Sequence, residues 1–393
     1  MKKHILLEEK VQAFILTHKD DDPAALMLQR EKYPDWPFKE VVDQIISRRK
    51  AEKKLPLWYK TKGILYPVPV SIEQSSSEAT AAYKAGLFNG KKAADLTGGL
   101  GVDSYYLAHN FEQLTYVEQK ETLAEIATHN FDVLGQNNVE IVNSTAEEFL
   151  LKAEEKYDLI YIDPDRRPDQ KRVVGFSDST PDLLELLPKL MSLSENILIK
   201  ASPMMDIRLA LEQLRDVGKV IILAIDNEVK ELLFHVGGDT TATTIRCVNI
   251  NKGQEDVLEY NLDDNSQEFC KISLLSNYLY EPNAAIMKAG AFNHLCKSYF
   301  VKKLHPNTHL FTSDKHIVDI PGRKFKVIGS CAYKKSAIQQ LLKGNKANIS
   351  VRNFVDTPEQ VKKKLGLQDG GDQYLFGYRD NENKLRVAVC ERV

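Results

Sequence analysis

The stretch Lys92-Ala93-Ala94-Asp95-Leu96-Thr97-Gly98-Gly99-Leu100-Gly101-Val102-Asp103 decides how the rest of the chain is read. A short apolar run (Ala93, Ala94, Leu96) ends in a turn of small residues, and a helical pattern (Tyr105, Tyr106, Leu107, Ala108) follows it. Strand, tight glycine turn and helix in that order predict the first unit of a nucleotide-type α/β sheet. Glycine suits the turn because a backbone without Cβ bends sharply and lets a ligand lie against its N–H groups. Two later features extend the pattern. Leu114-Thr115-Tyr116-Val117 reads as the second strand and ends on Glu118, the spacing at which a carboxylate meets a ribose diol. Tyr157-Asp158-Leu159-Ile160-Tyr161-Ile162 reads as another apolar strand, ending on Asp163-Pro164-Asp165-Arg166-Arg167. That puts a carboxylate, a proline-fixed turn and two arginines at a strand's C-terminal end, where open α/β sheets bind ligands.

The series Asp95-x-Thr97-x-Gly99-x-Gly101-x-Asp103, then Glu118, then Asp163-Pro164 resembles the class I S-adenosylmethionine-dependent methyltransferases. It looks most like those that modify exocyclic amines of nucleic-acid bases, such as 16S rRNA guanine-N2 methyltransferases. The whole chain further resembles a bacterial methyltransferase family with a C-terminal THUMP-like domain. That likeness rests on Leu55-Pro56-Leu57-Trp58, Glu73-Gln74-Ser75-Ser76-Ser77-Glu78, Asp163-Pro164-Asp165-Arg166-Arg167, Lys200-Ala201-Ser202-Pro203-Met204 and Asp369-Gly370-Gly371-Asp372. The fold it implies is α/β: a Rossmann-like seven-stranded methyltransferase domain with an N-terminal helical region and a C-terminal α/β, THUMP-like domain. It also implies S-adenosylmethionine as cofactor and RNA, tRNA or rRNA, as partner.

Carried onto this sequence, the resemblance makes Asp95, Thr97, Gly98, Gly99, Gly101 and Asp103 the cofactor turn and Glu118 the ribose contact. Thr145 and Ala146 fall where the family usually has Asp-Ala against the adenine edge. Asp163 would accept from an exocyclic amine and the Pro164 carbonyl would take the second hydrogen. Asp165, Arg166 and Arg167 stand where the related enzymes place an aromatic ring over the flipped base, and arginine planes can also stack on bases or fork onto phosphate. Gln74, Ser76 and Lys200 complete the substrate side. On purely structural grounds Asp163 would instead cap the next segment, with Arg166 and Arg167 paired to Asp165 or Asp169.

With 393 residues and 43% hydrophobic content, the chain is expected to form two or three soluble domains. No apolar run approaches the roughly 20 residues of a membrane span. The opening Met1-Lys2-Lys3-His4-Ile5-Leu6-Leu7 resembles the start of a signal peptide, but Glu8, Glu9 and Lys10 interrupt it, which predicts a cytoplasmic protein. Cys247, Cys270, Cys296, Cys331 and Cys390 are odd in number and widely spread, so reduced thiols are expected, with neither a disulfide framework nor a zinc site. His294, His305, His309 and His316 match no standard zinc spacing, so no metal is expected. Charge is uneven. Residues 61–280 hold 20 Lys/Arg against 35 Asp/Glu, whereas residues 281–393 hold 20 against 10. A basic end suits a polyanion and an acidic middle suits a cationic sulfonium, although charge also drifts between domains for solubility alone.

Residues 1–60 are expected to be helical, with Leu7, Val11, Phe14, Ile15 and Val41, Val42, Ile45, Ile46 at helical spacing. The run Arg48–Lys54 reads as a solvated helix end. Ser75 and Glu78 have capping-box spacing before a helix Ala79–Leu87. The methyltransferase-like domain is placed at 61–250. Its third strand is Val139–Val142, its fifth Asn196–Lys200, its sixth Lys219–Ile225 and its seventh Thr243–Ile250, with Glu228–Phe234 left open. Residues 251–320 form an α/β linker or ferredoxin-like subdomain, with a helix Ala284–Tyr299, and 321–393 the THUMP-like domain. Methyl transfer is an in-line displacement that needs near-attack geometry and an acceptor for the lost proton, without a metal. Three functions stay open: an RNA base methyltransferase, a small-molecule methyltransferase using the extra domains as a lid, and a non-catalytic cofactor-binding RNA protein.

Overall fold

The computed structural model describes residues 3–166, 176, 179–264 and 270–393. The chain divides into two compact units: Met1–Lys219 with Glu231–Thr241, and Val220–Lys230 with Ala242–Val393.

The first unit opens with the predicted helices. Glu9–Thr17 buries Val11, Phe14 and Ile15, and Phe38–Lys54 buries Val41, Val42 and Ile45. Asp22 caps the short helix Pro23–Met27 by accepting from Ala24 and Ala25 amides. The basic run at the end of Phe38–Lys54 does more than face water. Arg48 donates to the Tyr59 carbonyl (2.7 Å), and Lys54 donates to the carbonyls of Ile72 (2.8 Å) and Glu73 (2.7 Å), fastening the proline-rich connector. The helix before the first strand, Glu78–Ala85, is capped by Ser77, not Ser75, and Glu78 turns back to accept from the Leu57 and Trp58 amides.

Seven strands follow: β1 (Gly90–Asp95), β2 (Phe111–Val117), β3 (Val139–Val142), β4 (Leu159–Ile162), β5 (Asn196–Ala201), β6 (Val217–Ile225) and β7 (Glu228–Gly237). Their order is β6-β7-β5-β4-β1-β2-β3. β1 is parallel to β2 and β4, β2 to β3, and β4 to β5, whereas β7 runs antiparallel to β5. Every residue of β4 is buried, as expected for a central strand covered on both faces. Strand order reverses between β1 and β4, and that switch point makes a crevice at the carboxyl ends of the strands.

The seventh strand in chain order is therefore Glu228–Gly237; the expected seventh, Thr243–Ile250, is the eighth (Thr244–Asn251) and lies beside β6, so the expected seven-stranded sheet has nine strands. β6 leaves the first unit after Lys219 and β7 returns to it at Glu231. Asp226 and Asn227, both left-handed (φ 49° and 64°), form the two-residue turn between them. Short polar side chains tolerate that backbone, and such turns match the twist of a hairpin.

In the second unit, β8 (Thr244–Asn251) and β9 (Gln254–Asn261) form an antiparallel hairpin. A second sheet holds β10 (Tyr278–Glu281), β11 (Lys302–His305), β12 (Thr308–Ser313), β13 (Arg323–Ala332), β14 (Asn348–Arg352), β15 (Gln373–Arg379) and β16 (Leu385–Arg392), in the order β11-β12-β10-β13-β16-β15-β14. One face packs Phe325, Phe376, Tyr378, Ala388 and Cys390 with Leu279, Leu304 and Leu310. The other packs Leu375 and Val387 against Ile338, Val361 and Leu365 from the helices Lys335–Leu341 and Pro358–Leu365. β10 pairs with β13, so residues on either side of position 321 share one sheet.

Two expectations are corrected here. Ala284–Tyr299 is two helices, Ala284–Ala289 and Phe292–Tyr299, because Gly290 takes a left-handed conformation and ends the first. Cys270 and Cys296, 26 residues apart, are joined in a disulfide, whereas Cys247, Cys331 and Cys390 are free. Folding brings the two α-carbons to 5.6 Å, which sequence spacing does not encode. No helix among the described residues is long and apolar enough to cross a membrane.

Candidate functional site

The turn after β1 is built from the inside. Asp95 is buried, and its carboxylate accepts from the Thr97 amide (3.0 Å) and the Ser104 hydroxyl (2.5 Å). Burial pushes its pKa up to about 7, and the hydrogen bonds from Ser104 and Thr97 oppose that rise. Asp95 thus braces the turn and does not line the cleft. Thr97 relays the brace outward: its Oγ1 accepts from the Asp163 amide (2.7 Å), tying the end of β1 to the end of β4. Two glycines are required for packing as much as for bending. A Cβ on Gly98 would stand 2.1 Å from the Tyr116 ring, and one on Gly101 (φ 88°) would stand 2.8 Å from Phe131.

Glu118 follows β2 and is 8% exposed. Its Oε2 accepts from the Gly99 amide (2.9 Å) and its Oε1 from the Lys120 amide (2.7 Å). Each oxygen keeps a second lone pair, so the fixed carboxylate can still accept from two adjacent hydroxyls. Thr145 caps the helix Ala146–Lys152 by accepting from the Glu148 amide (3.1 Å), and Ala146 begins that helix, where amides lack partners within it.

One cleft, lying wholly in the first unit, is lined by Gln74, Ser76, Thr97, Gly98, Gly99, Gly101, Asp103, Glu118, Thr145, Ala146, Asp163 and Asp165. Lys120, Leu123, Ser144, Glu147, Thr180 and Pro181, which sequence reasoning missed, line it too. Asp95, Pro164 and Lys200 do not. Asp165 and Arg166 pair with Thr180 and Ser179 in a short antiparallel ladder that brings residues 179–181 to the cleft. Arg167 lies outside the described residues.

Lys200, expected on the substrate side, instead forms an ion pair with Asp163 Oδ2. Burial disfavours its charge, but Asp163, Asp103 and Glu231 outweigh that and hold the ammonium protonated, above the ordinary lysine range. The Lys200 side chain is 12% exposed and that of Asp163 31%. Lys200 thus fixes one carboxylate oxygen and leaves Oδ1 for another partner.

Beneath the cleft sits a charge cluster that no local pattern of residues announces. Lys84, 1% exposed, pairs with Asp103 (2.9 Å) and Glu231 (3.0 Å). Asp103 also accepts from the Ser76 hydroxyl (2.7 Å) and the Tyr161 hydroxyl (2.9 Å). Burial favours a neutral Asp103, but Lys84 and Lys200 override it and keep the carboxyl below the usual range, whereas burial wins at Glu231 and raises it. Lys84 sits on the helix Glu78–Ala85, where a lysine reads as a surface residue. The only sequence signal was Glu231 heading the apolar run Leu232-Leu233-Phe234. Among the described residues no three His, Cys, Asp or Glu side chains are grouped to hold a metal ion.

Comparison with known proteins agrees with this architecture. A ferredoxin-like domain model matches residues 278–321 and a THUMP domain-like model matches 322–392. No curated protein matches. The crystal structure of a candidate methyltransferase from Porphyromonas gingivalis W83 is 30% identical and aligns over 100% of this chain and 98% of its own, with a TM-score of 0.88. An rRNA methylase from Streptococcus thermophilus is 15% identical over 40% of this chain and 93% of its own, with a TM-score of 0.31. A candidate methyltransferase from Streptococcus mutans in complex with SAH is 12% identical over 41% of this chain and 96% of its own, with a TM-score of 0.30. These last two are too distant to bear on the assignment. The end-to-end match to the Porphyromonas protein and the C-terminal domain models are sufficient: the chain belongs to the class I S-adenosylmethionine-dependent methyltransferase family that carries a C-terminal THUMP-like domain.

Proposed function

We propose that the protein uses S-adenosylmethionine to methylate a base nitrogen, an exocyclic amine foremost, of structured tRNA or rRNA. The observation that carries this is the convergence of Glu118, the glycine turn and Asp163 on one cleft at the sheet's switch point. The donor set suits the cofactor: a fixed carboxylate for a diol, a helix start for a base edge, and acidic lining residues (Asp103, Glu118, Glu147, Asp163, Asp165) for a cation. When bound, the sulfonium supplies the electrophilic methyl group. The chain's own residues do the rest. Glu118 orients the ribose, Thr145 and Ala146 address the adenine, and Ser76 and Gln74 border the other end. Asp163, held by Lys200 and by Thr97, accepts a hydrogen from the attacking amine through Oδ1 and aims the nitrogen lone pair along the displacement line. As the new N–C bond forms and the S–C bond breaks, the nitrogen's surplus proton passes to Asp163 or solvent. The THUMP-like match and the basic excess of residues 281–393 support RNA as the acceptor.

The test is transfer of label from tritiated S-adenosylmethionine to total RNA from cells lacking the gene. Glu118→Ala should weaken cofactor binding about 10- to 100-fold by calorimetry, the scale of lost charge-assisted hydrogen bonds. Asp163→Ala should bind cofactor within a few-fold of the parent, yet transfer label at least about 100-fold more slowly. Cofactor binding with no label in any RNA would exclude the RNA-directed activity.

A further inference from the structure

Phe300 is the most exposed large hydrophobic side chain among the described residues, at 88%. It is also the residue after the helix Phe292–Tyr299, with φ 54° and ψ 30°. Left-handed backbone at a helix end is the usual place for glycine, and a bulky ring there is a conformational outlier. Folding gains nothing from either feature. The ring is left in water, where burial would have favoured it, and the backbone sits where a glycine would be relaxed. Residues held in disfavoured conformations concentrate where they serve binding.

We propose that Phe300 is a stacking platform for an unpaired base of the RNA. The inference rests on the RNA-directed function proposed above. The surroundings decide between base and backbone. Exposed Lys302 begins the next strand, and residues 281–393 carry a basic excess that favours a polyanion. Lys297, one turn before Phe300, is already paired with Asp264, and the Tyr299 phenol lies in the field of Asp319 and Asp256. The contact Phe300 itself offers is the exposed face of its ring, which any base can stack upon. Phosphates would then track over Lys302. A protein partner fits less well, because a stable interface needs about 800 Å² on each side, and the exposed sequence neighbours of Phe300 are Ser298 and Lys302.

The experiment measures binding of the full chain to a fluorescein-labelled 15-nucleotide single-stranded RNA of mixed sequence, by anisotropy at several salt concentrations. Phe300→Ala should weaken binding about 5- to 150-fold, the span seen for loss of one base–aromatic stack, and leave the salt slope unchanged. Lys302→Ala should reduce that slope by about one contact's worth, 0.7 on the logarithmic scale. Phe300→Trp should bind at least as tightly as the parent. Phe300→Gly should melt higher than the parent while binding RNA as poorly as Phe300→Ala. Unchanged affinity in Phe300→Ala beside a parent that binds overturns the stacking role alone. So does a Phe300→Ala chain that melts several degrees lower, since the ring would then hold the fold, or one that changes its sedimentation, since the ring would then be a protein contact. A parent chain that does not bind this single strand at moderate salt overturns the stacking role, and the RNA-directed function falls with it only when total tRNA and rRNA are not bound either.

Discussion

Asp95 shows how a residue read as a ligand contact can serve beneath the site instead. Its carboxylate is enclosed, holds the Thr97 amide and the Ser104 hydroxyl, and has a pKa near 7 where an exposed aspartate sits at 3.8. The folded state therefore binds a proton more readily than the unfolded state. The stabilisation from that proton is complete below about pH 4 and is lost as pH rises through about 7. Asp95→Asn, neutral throughout, lacks this loss. Its stability relative to the parent should rise between pH 4 and pH 8, by up to roughly 4 kcal/mol for a shift of this size. Urea melts at both pH values check it, and a constant difference would show that the carboxylate is not protonated on folding. Thr97, Gly98, Gly99, Gly101, Asp103 and Glu118 were legible from their spacing because the strand–turn–helix unit is local and its geometry repeats wherever the motif occurs.

Lys84 belongs to one helix, Glu231 to β7 and Asp103 to the helix after the glycine turn, and their ion pairs clamp three elements under the cleft. Removing the cation from one side leaves two buried carboxylates facing each other. Lys84→Met should cost roughly 3–5 kcal/mol, the scale for breaking a buried pair. Adding Asp103→Asn and Glu231→Gln to that variant should recover part of the loss, because no charge then stays unpaired. Thermal melts of the three chains distinguish this from a surface lysine, whose loss would move the midpoint by less than about 2 °C. Alternation and apolar runs gave β1 to β5 without ambiguity. β7 was left open because Glu228, Lys230 and Glu231 interrupt its apolar residues, and the next strand, Thr243–Ile250, was read as the seventh in its place. The Asp226-Asn227 turn was the better sign, since both residues accept the left-handed backbone of a tight hairpin.

The whole chain contains two units, and the cleft lies in the first. Compact units of this size are expected to melt as two transitions. S-adenosylhomocysteine at about 100 times its dissociation constant should add about 2.7 kcal/mol to the unit that binds it and nothing to the other. Scanning calorimetry with and without the ligand should therefore move one transition only. A shift of both, or of neither, would contradict a site confined to Met1–Lys219 with Glu231–Thr241.

By itself the sequence determined the strands β1 to β5, the glycine turn, the acidic ends of β2 and β4, and the basic character of the C-terminal part. All of these depend on neighbours a few residues apart, where spacing and residue type act directly on the backbone. The tertiary structure alone decided that Lys200 holds Asp163, that Lys84 reaches Glu231 across 147 positions, that Cys270 meets Cys296, and that β7 enters the sheet beside β5. Long-range ion pairs, cross-links and strand insertions are fixed only when the chain closes on itself. Burial then selects a partner for each charge from residues that no local pattern connects.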